Sequence, residues 1–460
     1  MRRRGLKVKS VDLFAGGGGA SEGIRMATGR APVAAVNHCP HAIQMHRENH
    51  PDTLHYLESV FDVRPREVPT GRGGVDLLWA SPDCTHFSRA RGRKPVKKEI
   101  RGLAWVIVEW AQAVSPRVIC MENVPEFVTW GPLYPEDHPD PGLRNRPIPE
   151  RKGATFREFV TRLQLLGYRV EWRLLTSCDY GAPTRRRRLF LVARCDGESI
   201  TWPTPTHGPG RARPWRTAAE CIDWTIPCPS IFTRRRPLAE NTQRRIAEGI
   251  RRYVIDTAEP FIVRIGQTGG GGSYTYSLDQ PLSTITSKAE HCLVTTFLAK
   301  HNGKTVGQPL RQPCAAITGR DTKALVAASV DKVDANGATG AEPHGGLVAA
   351  FLLKYYGQGG QWSKLSEPMH TIVSKARMGL VTVDLAGEEY AITDIGMRML
   401  QPRELARAQG FPEAYILNGT KTQQVARIGN SVPPQVVEAV VRAQFHQPSP
   451  LRSDEQLAAK

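Results

Sequence analysis

Cys84 stands directly after an apolar run, within the segment Ser81–Ser88 (Ser-Pro-Asp-Cys-Thr-His-Phe-Ser). The run, Val75–Ala80, has the length and composition of a buried strand, so Cys84 would lie in the loop that leaves this strand. An α/β enzyme displays reactive groups in such loops, and a thiolate there would be a nucleophile. Cysteine is also common in protein cores, so this residue alone leaves both interpretations open.

A carboxylate and a block of arginines accompany other predicted strands. Glu122 ends one apolar run, and Arg185–Arg188 lead into another. If the strands of Cys84 and Glu122 are neighbours in a parallel sheet, the thiol and the carboxylate meet at one edge. Alternation along a strand would direct Arg186 and Arg188 to one face. The plainer interpretations are a solvated strand end or helix cap for Glu122 and a solvated charged surface for the arginines.

A glycine turn follows the first predicted strand, where residues 11–20 read Val-Asp-Leu-Phe-Ala-Gly-Gly-Gly-Gly-Ala. Glycines let a backbone approach a nucleotide-like ligand closely. The turn lacks the Gly-x-Gly-x-x-Gly spacing, and no Lys-Ser/Thr pair follows it as in a P-loop. An adenosyl ligand without phosphates therefore fits better than a phosphate group.

Short β-prone runs alternate with amphipathic stretches over residues 8–205, which is typical of an α/β layered sheet. The predicted strands are Lys9–Phe14, Val33–Val36, Val75–Ala80, Val118–Glu122, Arg169–Thr176 and Arg188–Ala193, and the predicted helices are 19–27, 41–49, 99–113 and 155–166. Two more helices are predicted over Met397–Gln409 and Gln435–Gln444. The Pro-rich segment Gly131–Arg151 predicts a surface insertion.

A threefold internal repeat lies between residues 206 and 394. The repeats open at Phe261–Arg264, Phe297–Lys300 and Phe351–Lys354, and they close with Leu-Val at 293, 325 and 380. We predict three β-hairpin repeats, each with a basic residue after its second strand: Lys288, Arg320 and Lys375. These residues contact DNA in one interpretation and are solvated charges of a structural repeat in the other.

The chain has 460 residues and a formal net charge of +18, which favours a polyanionic partner, either nucleic acid or an anionic membrane surface. No apolar stretch approaches the ~20 residues that span a bilayer, and the N terminus lacks a signal-peptide core, so we expect a cytoplasmic protein. The nine cysteines include no close pair at zinc-ligand spacing. This argues against a disulfide framework and a structural metal.

In this order, the motifs resemble those of the DNA (cytosine-5) methyltransferase family. The shared motifs are the glycine turn, the Cys84 loop, Glu122-Asn123-Val124, the arginine block, Arg403-Glu404 with Gln409–Pro412, and Gly429–Val432. They span roughly residues 8–195 and 395–440. The middle region has no such match, as expected of the family's variable recognition domain.

The resemblance implies a Rossmann-like α/β methyltransferase with a mixed sheet and a second, smaller β-rich domain. The expected divisions are a catalytic domain at 1–205, a target-recognition domain with the three repeats at 206–394, a motif-bearing return at 395–447 and a disordered tail at 448–460. A C-terminal helix at about 430–447 would complete the catalytic domain.

The resemblance also implies a mechanism. Cys84 attacks C6 of a cytosine, Glu122 stabilises the resulting enamine, and Arg186 and Arg188 position and polarise the base. S-adenosyl-L-methionine donates the methyl group to C5. Because these atoms are inaccessible in a stacked duplex, the partner is double-stranded DNA from which the target base is flipped.

Cofactor and DNA contacts follow from the same resemblance. The expected cofactor-binding residues are Asp12, Phe14, Ala15, Gly16, Gly18, His38, Glu58, Asp62, Pro82, Asn430 and Val432. The segment Arg89–Lys98 has six basic residues and no acidic one, and it either clamps phosphates or is simply a mobile charged loop. The expected DNA-binding residues are Ser88, Arg89, Arg91, Arg93 and Lys94, together with Lys288, Arg320 and Lys375.

The chain departs from the family pattern around its cysteine. Asp83 stands where the family has proline, and Thr85 where it has glutamine. A carboxylate beside Cys84 would raise the pKa of the thiol unless it points away. His38 stands near the position of the usual ribose-binding acidic residue, and Thr184 replaces the glutamine that opens the arginine motif.

Two other functions are open at this stage: an RNA (tRNA) cytosine-5 methyltransferase, and a catalytically silent DNA-binding protein. The long middle region argues against the first, and the presence of both Cys84 and Glu122 against the second. We further expect a monomer, bacterial or phage-encoded, with no metal and no membrane partner. A cognate restriction endonuclease is a candidate partner.

Overall fold

The computed structural model describes residues 8–70, 74–83, 102–217 and 400–445. Between residues 219 and 399 it describes shorter stretches: 219–223, 225–227, 229–231, 233–236, residue 313 and the backbone of ten strands from 261 to 399. The chain divides into two units. The first contains Met1–Cys221, Pro313–Arg320 and Gln401–Lys460, and the second contains Ile222–Gln312 and Asp321–Leu400.

A mixed sheet of seven strands, counted over the described residues, forms the centre of the first unit. The strands are β1 (Ser10–Leu13), β2 (Ala34–Val36), β3 (Leu54–Tyr56), β4 (Leu77–Ala80), β5 (Val118–Asn123), β6 (Arg169–Thr176) and β7 (Arg187–Arg194). Their order is β3-β2-β1-β4-β5-β7-β6. The first five strands are parallel, and β7 pairs antiparallel with β5 and β6. The predicted α/β class with a mixed sheet is confirmed.

Helices cover both faces of this sheet. They are α1 (Gly19–Thr28), α2 (Pro40–Asn49), α3 (Trp105–Val114), α4 (Ala154–Leu165), α5 (Pro402–Gln409), α6 (Lys421–Asn430) and α7 (Pro434–Phe445). In β4, Leu78 packs in the core with α3 and α4, whereas Leu77 and Trp79 pack in the opposite core with α1 and α7. Because both faces are buried, the central strands are almost continuously apolar in sequence.

Gly23 allows α1 and α7 to pack closely. A Cβ at Gly23 would overlap Cβ of Val437 and the carbonyl of Pro434. Val436, Val437 and Val440 of α7 are all fully buried. The C-terminal helix therefore completes a core that begins with the first helix of the chain.

The helix predicted over Met397–Gln409 is wrong at its start. Residues Glu388–Met399 form a strand that pairs antiparallel with Lys323–Lys332, and α5 begins at Pro402. Gln401 is extended, as favoured for a residue before proline, and it forms a capping box with Glu404. Strand pairing overrides the helical pattern as far as Met399.

Two elements of the first unit had no predicted counterpart. β3 has three residues, too few to show a periodicity. Helix α6 begins with a capping box in which Gln423 N donates to Thr420 Oγ1 and Thr420 N donates to Gln423 Oε1. The pattern Thr-x-x-Gln is a helix-start signal that could have revealed α6.

The regular elements described in the second unit are strands. These are β8 (Phe261–Arg264), β9 (Thr275–Ser277), β10 (His291–Lys300), β11 (Gly307–Pro309), β12 (Lys323–Lys332), β13 (Phe351–Lys354), β14 (Trp362–Lys364), β15 (Met378–Leu380), β16 (Thr382–Leu385) and β17 (Glu388–Met399). One sheet has the order β16-β17-β12-β10-β8-β9, with β11 beside β10. Another has the order β14-β13-β15.

The three sequence repeats share one strand-pairing register. In each repeat, the second residue of the opening strand pairs antiparallel with the leucine of the closing Leu-Val. The pairs are Ile262 with Leu293, Leu298 with Leu325, and Leu352 with Leu380. Strand β10 serves two repeats, because its first half closes one and its second half opens the next.

The expected DNA-contacting residues of the repeats, Lys288, Arg320 and Lys375, lie outside the described residues. The basic residues that end the first two opening strands can be placed by register: Arg264 pairs with His291, and Lys300 pairs with Lys323. They lie at opposite ends of β10. Within the described part of the chain, no helix is long and apolar enough to cross a membrane.

We expect Gly23→Ala to destabilise the protein by about 1–3 kcal/mol, because the added methyl overpacks the contact between α1 and α7. In an open helix the same change stabilises by up to about 1 kcal/mol, since alanine favours the helix. Urea unfolding followed by circular dichroism measures the sign. A variant at least as stable as the wild type would contradict this packing.

Candidate active site

The carboxyl ends of the parallel strands meet at one edge of the sheet. The strand order reverses between β1 and β4, so the segments that follow these strands diverge and leave a crevice. The glycine turn follows β1, and Ser81–Asp83 follow β4 and lead to Cys84. Ser81 N also donates to Leu13 O at 3.2 Å. The topology therefore places the glycine turn beside the segment before Cys84.

The glycine turn, Phe14–Gly19, has a strained backbone. Phe14 has a φ of +65°, a conformation that is costly for a residue with a Cβ, and Gly16 and Gly18 have φ of +53° and +84°. Among the described residues, a Cβ at Gly16 would meet only the carbonyl of Phe14, at 3.6 Å. Backbone strain of this kind clusters at turns that bind ligands. The open space beside Gly16 leaves room for a ligand.

The other glycines make room for the chain itself. A Cβ at Gly19 would overlap the carbonyl of Val432, and one at Gly17 would lie 2.9 Å from Ser431 Oγ. The segment after α6 therefore packs directly on the turn. The expectation that these glycines serve ligand approach is incomplete, because at Gly17 and Gly19 the close neighbour is the C-terminal segment.

Asp12 lies beneath the turn and is fully buried. Its Oδ2 accepts a hydrogen bond from Ser21 Oγ at 2.6 Å, and Ser21 Oγ lies 2.8 Å from Nε2 of buried His46. Burial raises the pKa of Asp12 to about 7, and the hydrogen bonds from Ser21 oppose part of this rise. Burial also lowers the pKa of His46 well below its usual range, so this imidazole is neutral. The predicted contact of Asp12 with the cofactor stays a prediction.

Glu122 meets both predicted arginines. Its Oε1 lies 3.3 Å from Arg188 Nε and 3.8 Å from Arg186 Nη2. β7 is antiparallel to β5, so its first residues lie beside the last residues of β5. Alternation then turns Arg186 and Arg188 toward the carboxylate and leaves Arg185 and Arg187 exposed.

The carboxylate of Glu122 is shielded from solvent, with 8% of its side chain exposed. Among the described residues, no group donates a hydrogen bond to Glu122 Oε1. The guanidinium groups balance its charge without the alignment of a hydrogen bond. Because buried polar atoms are almost always hydrogen-bonded, this oxygen is a position at which an incoming donor would bind.

Asn123 connects this edge to the segment before Cys84. Its Nδ2 donates to the carbonyl of Pro82 at 3.0 Å, and its Oδ1 accepts from Val124 N at 2.9 Å. Asn123 belongs to the motif Glu122-Asn123-Val124, but no role was predicted for it from the sequence. An amide directly after the strand-end carboxylate was the available signal.

The C-terminal segment also reaches the part of the sheet edge where Glu122 meets Arg186 and Arg188, which is the candidate catalytic edge. Arg186 Nη1 donates to the carbonyl of Gly429 at 2.9 Å, and Gln409 Nε2 donates to the carbonyl of Ser431 at 2.6 Å. Both donors are buried. The arginine beside Glu122 is thus fixed by the end of α6.

The glycine turn, the buried carboxylate and its arginines lie where the sequence motifs predicted them. The family model for C-5 cytosine-specific DNA methylases matches residues 8–132, 145–212 and 330–446, more than half of the chain. The chain belongs to this family. The family predicted from the motifs is confirmed.

Individual relatives are similar over different spans. The Type II methyltransferase M.AgeI of Thalassovita gelatinovora is 29% identical over 209 residues, which cover 44% of this chain and 43% of the relative. The Type II methyltransferase M.DdeI of Desulfomicrobium norvegicum is 23% identical over 442 residues, which cover 94% and 86%. The chain spans half or less of the length of M.AgeI, M1.HphI and M.NlaIV.

Two solved structures align with nearly the whole chain. A putative DNA modification methyltransferase encoded within a prophage of E. coli has 18% identity and a TM-score of 0.46 over 95% of this chain and 99% of that one. A mutant DNMT2 of Spodoptera frugiperda has 14% identity and a TM-score of 0.48 over 96% and 100%.

The remaining predicted cofactor residues lie in three regions of the first unit. His38 follows β2, and Glu58 and Asp62 follow β3; all three are exposed beside the glycine turn's edge of the sheet. Asn430 is exposed at the end of α6, and Val432 is buried. Ala15, which donates through its N to Val36 O, and Pro82 are buried at the ends of β1 and β4.

Several predicted site residues lie outside the described residues. They are Cys84, Thr85, Ser88, Arg89, Arg91, Arg93 and Lys94. Asp83, the last described residue before them, is exposed, and Thr184 is fully buried. The roles predicted for the residues outside the described part stay predictions.

Asp12 predicts a pH dependence of stability. Because folding raises the pKa of Asp12 from 3.8 to about 7, the folded state holds this proton more tightly. This contribution is fully present below pH 3.8 and is lost as pH rises through about 7. The Asp12→Asn variant lacks this pH-dependent contribution. The unfolding free energy of the wild type should therefore fall relative to that of the variant as pH rises from about 4 to about 7.

Urea unfolding of both proteins at a series of pH values measures the difference. Asp52→Asn, a change of an exposed carboxylate, is the matched control and should keep the wild-type pH profile. A difference between wild type and Asp12→Asn that does not vary with pH would contradict the assignment.

Proposed function

We propose that this protein transfers a methyl group from S-adenosyl-L-methionine to C5 of a cytosine flipped out of double-stranded DNA. The observation that carries the proposal is the buried Oε1 of Glu122, which lies between two arginines and receives no hydrogen bond from the described residues. The exocyclic amine of cytosine is a donor that this oxygen can accept. The other carboxyl oxygen, when protonated, can donate to N3.

Cytosine C5 is a weak nucleophile until the ring is attacked at C6. The thiolate of Cys84 forms a bond to C6, and the ring electrons move toward N3, where Glu122 stabilises the enamine. C5 would then take the methyl group from the sulfonium sulfur of bound S-adenosylmethionine, whose S–C bond would break to release S-adenosylhomocysteine. Loss of the C5 proton and elimination of the thiolate restore the aromatic ring and the free enzyme.

Arg188 and Arg186 have different roles in the attack on the cytosine ring. Arg188 lies nearer to Glu122 and is 17% exposed, so its guanidinium can reach O2 of the base. Arg186 is 4% exposed and is bonded to the Gly429 carbonyl. We assign Arg188 to the base and Arg186 to the positioning of Glu122.

The residues of the glycine turn fit an adenosyl cofactor. Phe14 is strained, and Gly16 leaves space on its open side. His38 and either Glu58 or Asp62 would bind the ribose and adenine, with Asp12, Ala15, Gly18, Pro82, Asn430 and Val432 completing the site. S-adenosylmethionine supplies an electrophilic methyl group when bound.

The second unit is proposed as the target-recognition domain. Its register-matched repeats and the net charge of +18 suit a polyanion, and relatives such as M.AgeI are named Type II methyltransferases. The first unit, with its return from residue 401, is proposed as the catalytic domain. A cytoplasmic monomer that acts alongside a cognate restriction endonuclease belongs to the same proposal.

The proposal is tested by transfer of labelled methyl from S-adenosylmethionine to duplex DNA and to tRNA. We expect transfer to DNA by the wild type, a loss of at least about 10³-fold for Cys84→Ala, and a loss of roughly 10²–10³-fold for Glu122→Gln. Cys195→Ala, a change of an exposed cysteine, is the matched control and should retain wild-type rates.

Three outcomes would contradict the proposal in different ways. Transfer to DNA that survives Cys84→Ala would contradict the covalent mechanism. Transfer to tRNA alone would contradict the substrate and favour the RNA enzyme. No transfer by a wild type that still binds DNA would favour the silent DNA-binding protein.

A further inference from the structure

Tyr415 contacts the glycine turn from the opposite end of the chain. Its hydroxyl donates to the carbonyl of Gly17 at 2.8 Å, and its ring is buried, with 3% of the residue exposed. The two residues are 398 positions apart. Tyr415 belongs to the segment between α5 and α6, and no sequence motif assigned it a role.

The Tyr415 hydroxyl keeps its proton and can donate a hydrogen bond at neutral pH. Burial raises the pKa of Tyr415 well above its usual range, so the phenol keeps its proton. His50 Nε2 lies 3.4 Å from the same hydroxyl, and burial lowers the pKa of His50 to about 4, so this ring is neutral. The hydroxyl proton is therefore available to the Gly17 carbonyl at neutral pH.

The backbone around Tyr415 is held on both sides. Arg403 donates through Nη2 to the carbonyl of Tyr415 at 2.8 Å and through Nη1 to the carbonyl of Glu413 at 2.9 Å. Asn49 of α2 accepts from Ile416 N at 2.8 Å and donates to Ile416 O at 3.0 Å. The Tyr415 hydroxyl thus contacts the turn from a backbone segment that is held by hydrogen bonds on both sides.

The turn needs such support because of its composition. Glycines lose more backbone freedom on ordering than any other residue, and Gly16 and Gly18 are held in left-handed conformations. A turn that samples other conformations binds its ligand more weakly, by the fraction of time it spends in the competent one. A Cβ at Gly18 would overlap Tyr415 Oη, so the glycine at this position is what admits the tyrosine.

We propose that Tyr415 is a positioning residue, which holds the turn Phe14–Gly19 in its ligand-binding conformation through the Gly17 carbonyl. The inference rests on the proposed function, in which this turn binds S-adenosylmethionine. Tyr415 acts through the turn, and its own hydroxyl is occupied by Gly17. Its loss should therefore weaken cofactor binding and leave the chemistry of the base unchanged.

The chain offers a closely matched control. Tyr168 has the same exposure, 3%, and its hydroxyl also donates to a backbone carbonyl at 2.8 Å, that of Pro116. Tyr168 joins the start of β6 to the segment before β5, away from the glycine turn. Tyr415→Phe and Tyr168→Phe each remove one buried hydroxyl and keep the ring, so their effects on unfolding should be similar.

Isothermal titration of the full chain with S-adenosylhomocysteine and S-adenosylmethionine tests the proposal. We expect the Kd for both ligands to rise about 5–10-fold in Tyr415→Phe and to stay at the wild-type value in Tyr168→Phe. In steady-state methyl transfer, the KM for S-adenosylmethionine should rise in the same proportion in Tyr415→Phe, while kcat and the KM for DNA remain unchanged.

The outcomes separate this inference from the function on which it rests. A wild type that binds neither ligand would overturn the proposed function. Ligand binding by Tyr415→Phe equal to that of the wild type, or equal weakening in both tyrosine variants, would overturn the positioning role alone. If Tyr415→Phe does not fold, Arg403→Gln loosens the Tyr415 backbone and should also raise the Kd; an unchanged Kd would overturn the inference.

Discussion

The close approach of the C-terminal segment to the glycine turn is the constraint on which the first unit depends. Gly17, Gly18 and Gly19 have no side chains, and the space beside them is occupied by residues from the far end of the chain: Tyr415, Ser431 and Val432. A side chain at any of the three would crowd this contact. Gly23 extends the same constraint into the packing of α1 on α7. The glycine-rich sequence therefore serves closure of the fold as well as the proposed approach of a ligand.

The same closure organises the catalytic edge. Arg186 is bonded to the Gly429 carbonyl while it lies beside Glu122, so the end of α6 influences the carboxylate proposed to bind the base. Asn123, the residue after Glu122, donates a hydrogen bond to the carbonyl of Pro82, two residues before Cys84. This bond links the end of β5 to the segment that follows β4. Buried hydrogen bonds between distant segments thus join Arg186 to the end of α6 and Asn123 to Pro82.

Burial sets the electrostatic character of the two halves of the site. Beneath the glycine turn, Asp12 and His46 are in an environment that disfavours charge, which raises the pKa of the acid and lowers that of the base. At the catalytic edge, Glu122 is equally shielded but has two guanidinium groups within 4 Å. The first half supports a turn, and the second can act on a polar base.

The sequence by itself determined the α/β class, the family and most of the strands of the first unit; Arg169–Thr176, for example, was predicted to the residue. It also determined that Arg186 and Arg188 share a face, because side-chain alternation is a local property of a strand. Such features depend on residues that are close together in the chain. Periodicity and motif order are sufficient to find them.

Only the tertiary structure decided where the middle strands end, what Asn123 binds, and that Tyr415 meets Gly17. The helix predicted over Met397–Gln409 begins only at Pro402, because its first three residues belong to the strand Glu388–Met399, whose partner, Lys323–Lys332, lies more than fifty residues earlier in the chain. Contacts between Gly17 and Tyr415 join residues 398 positions apart. Local patterns carry no information about such pairs, whose formation depends on packing the whole unit around one sheet.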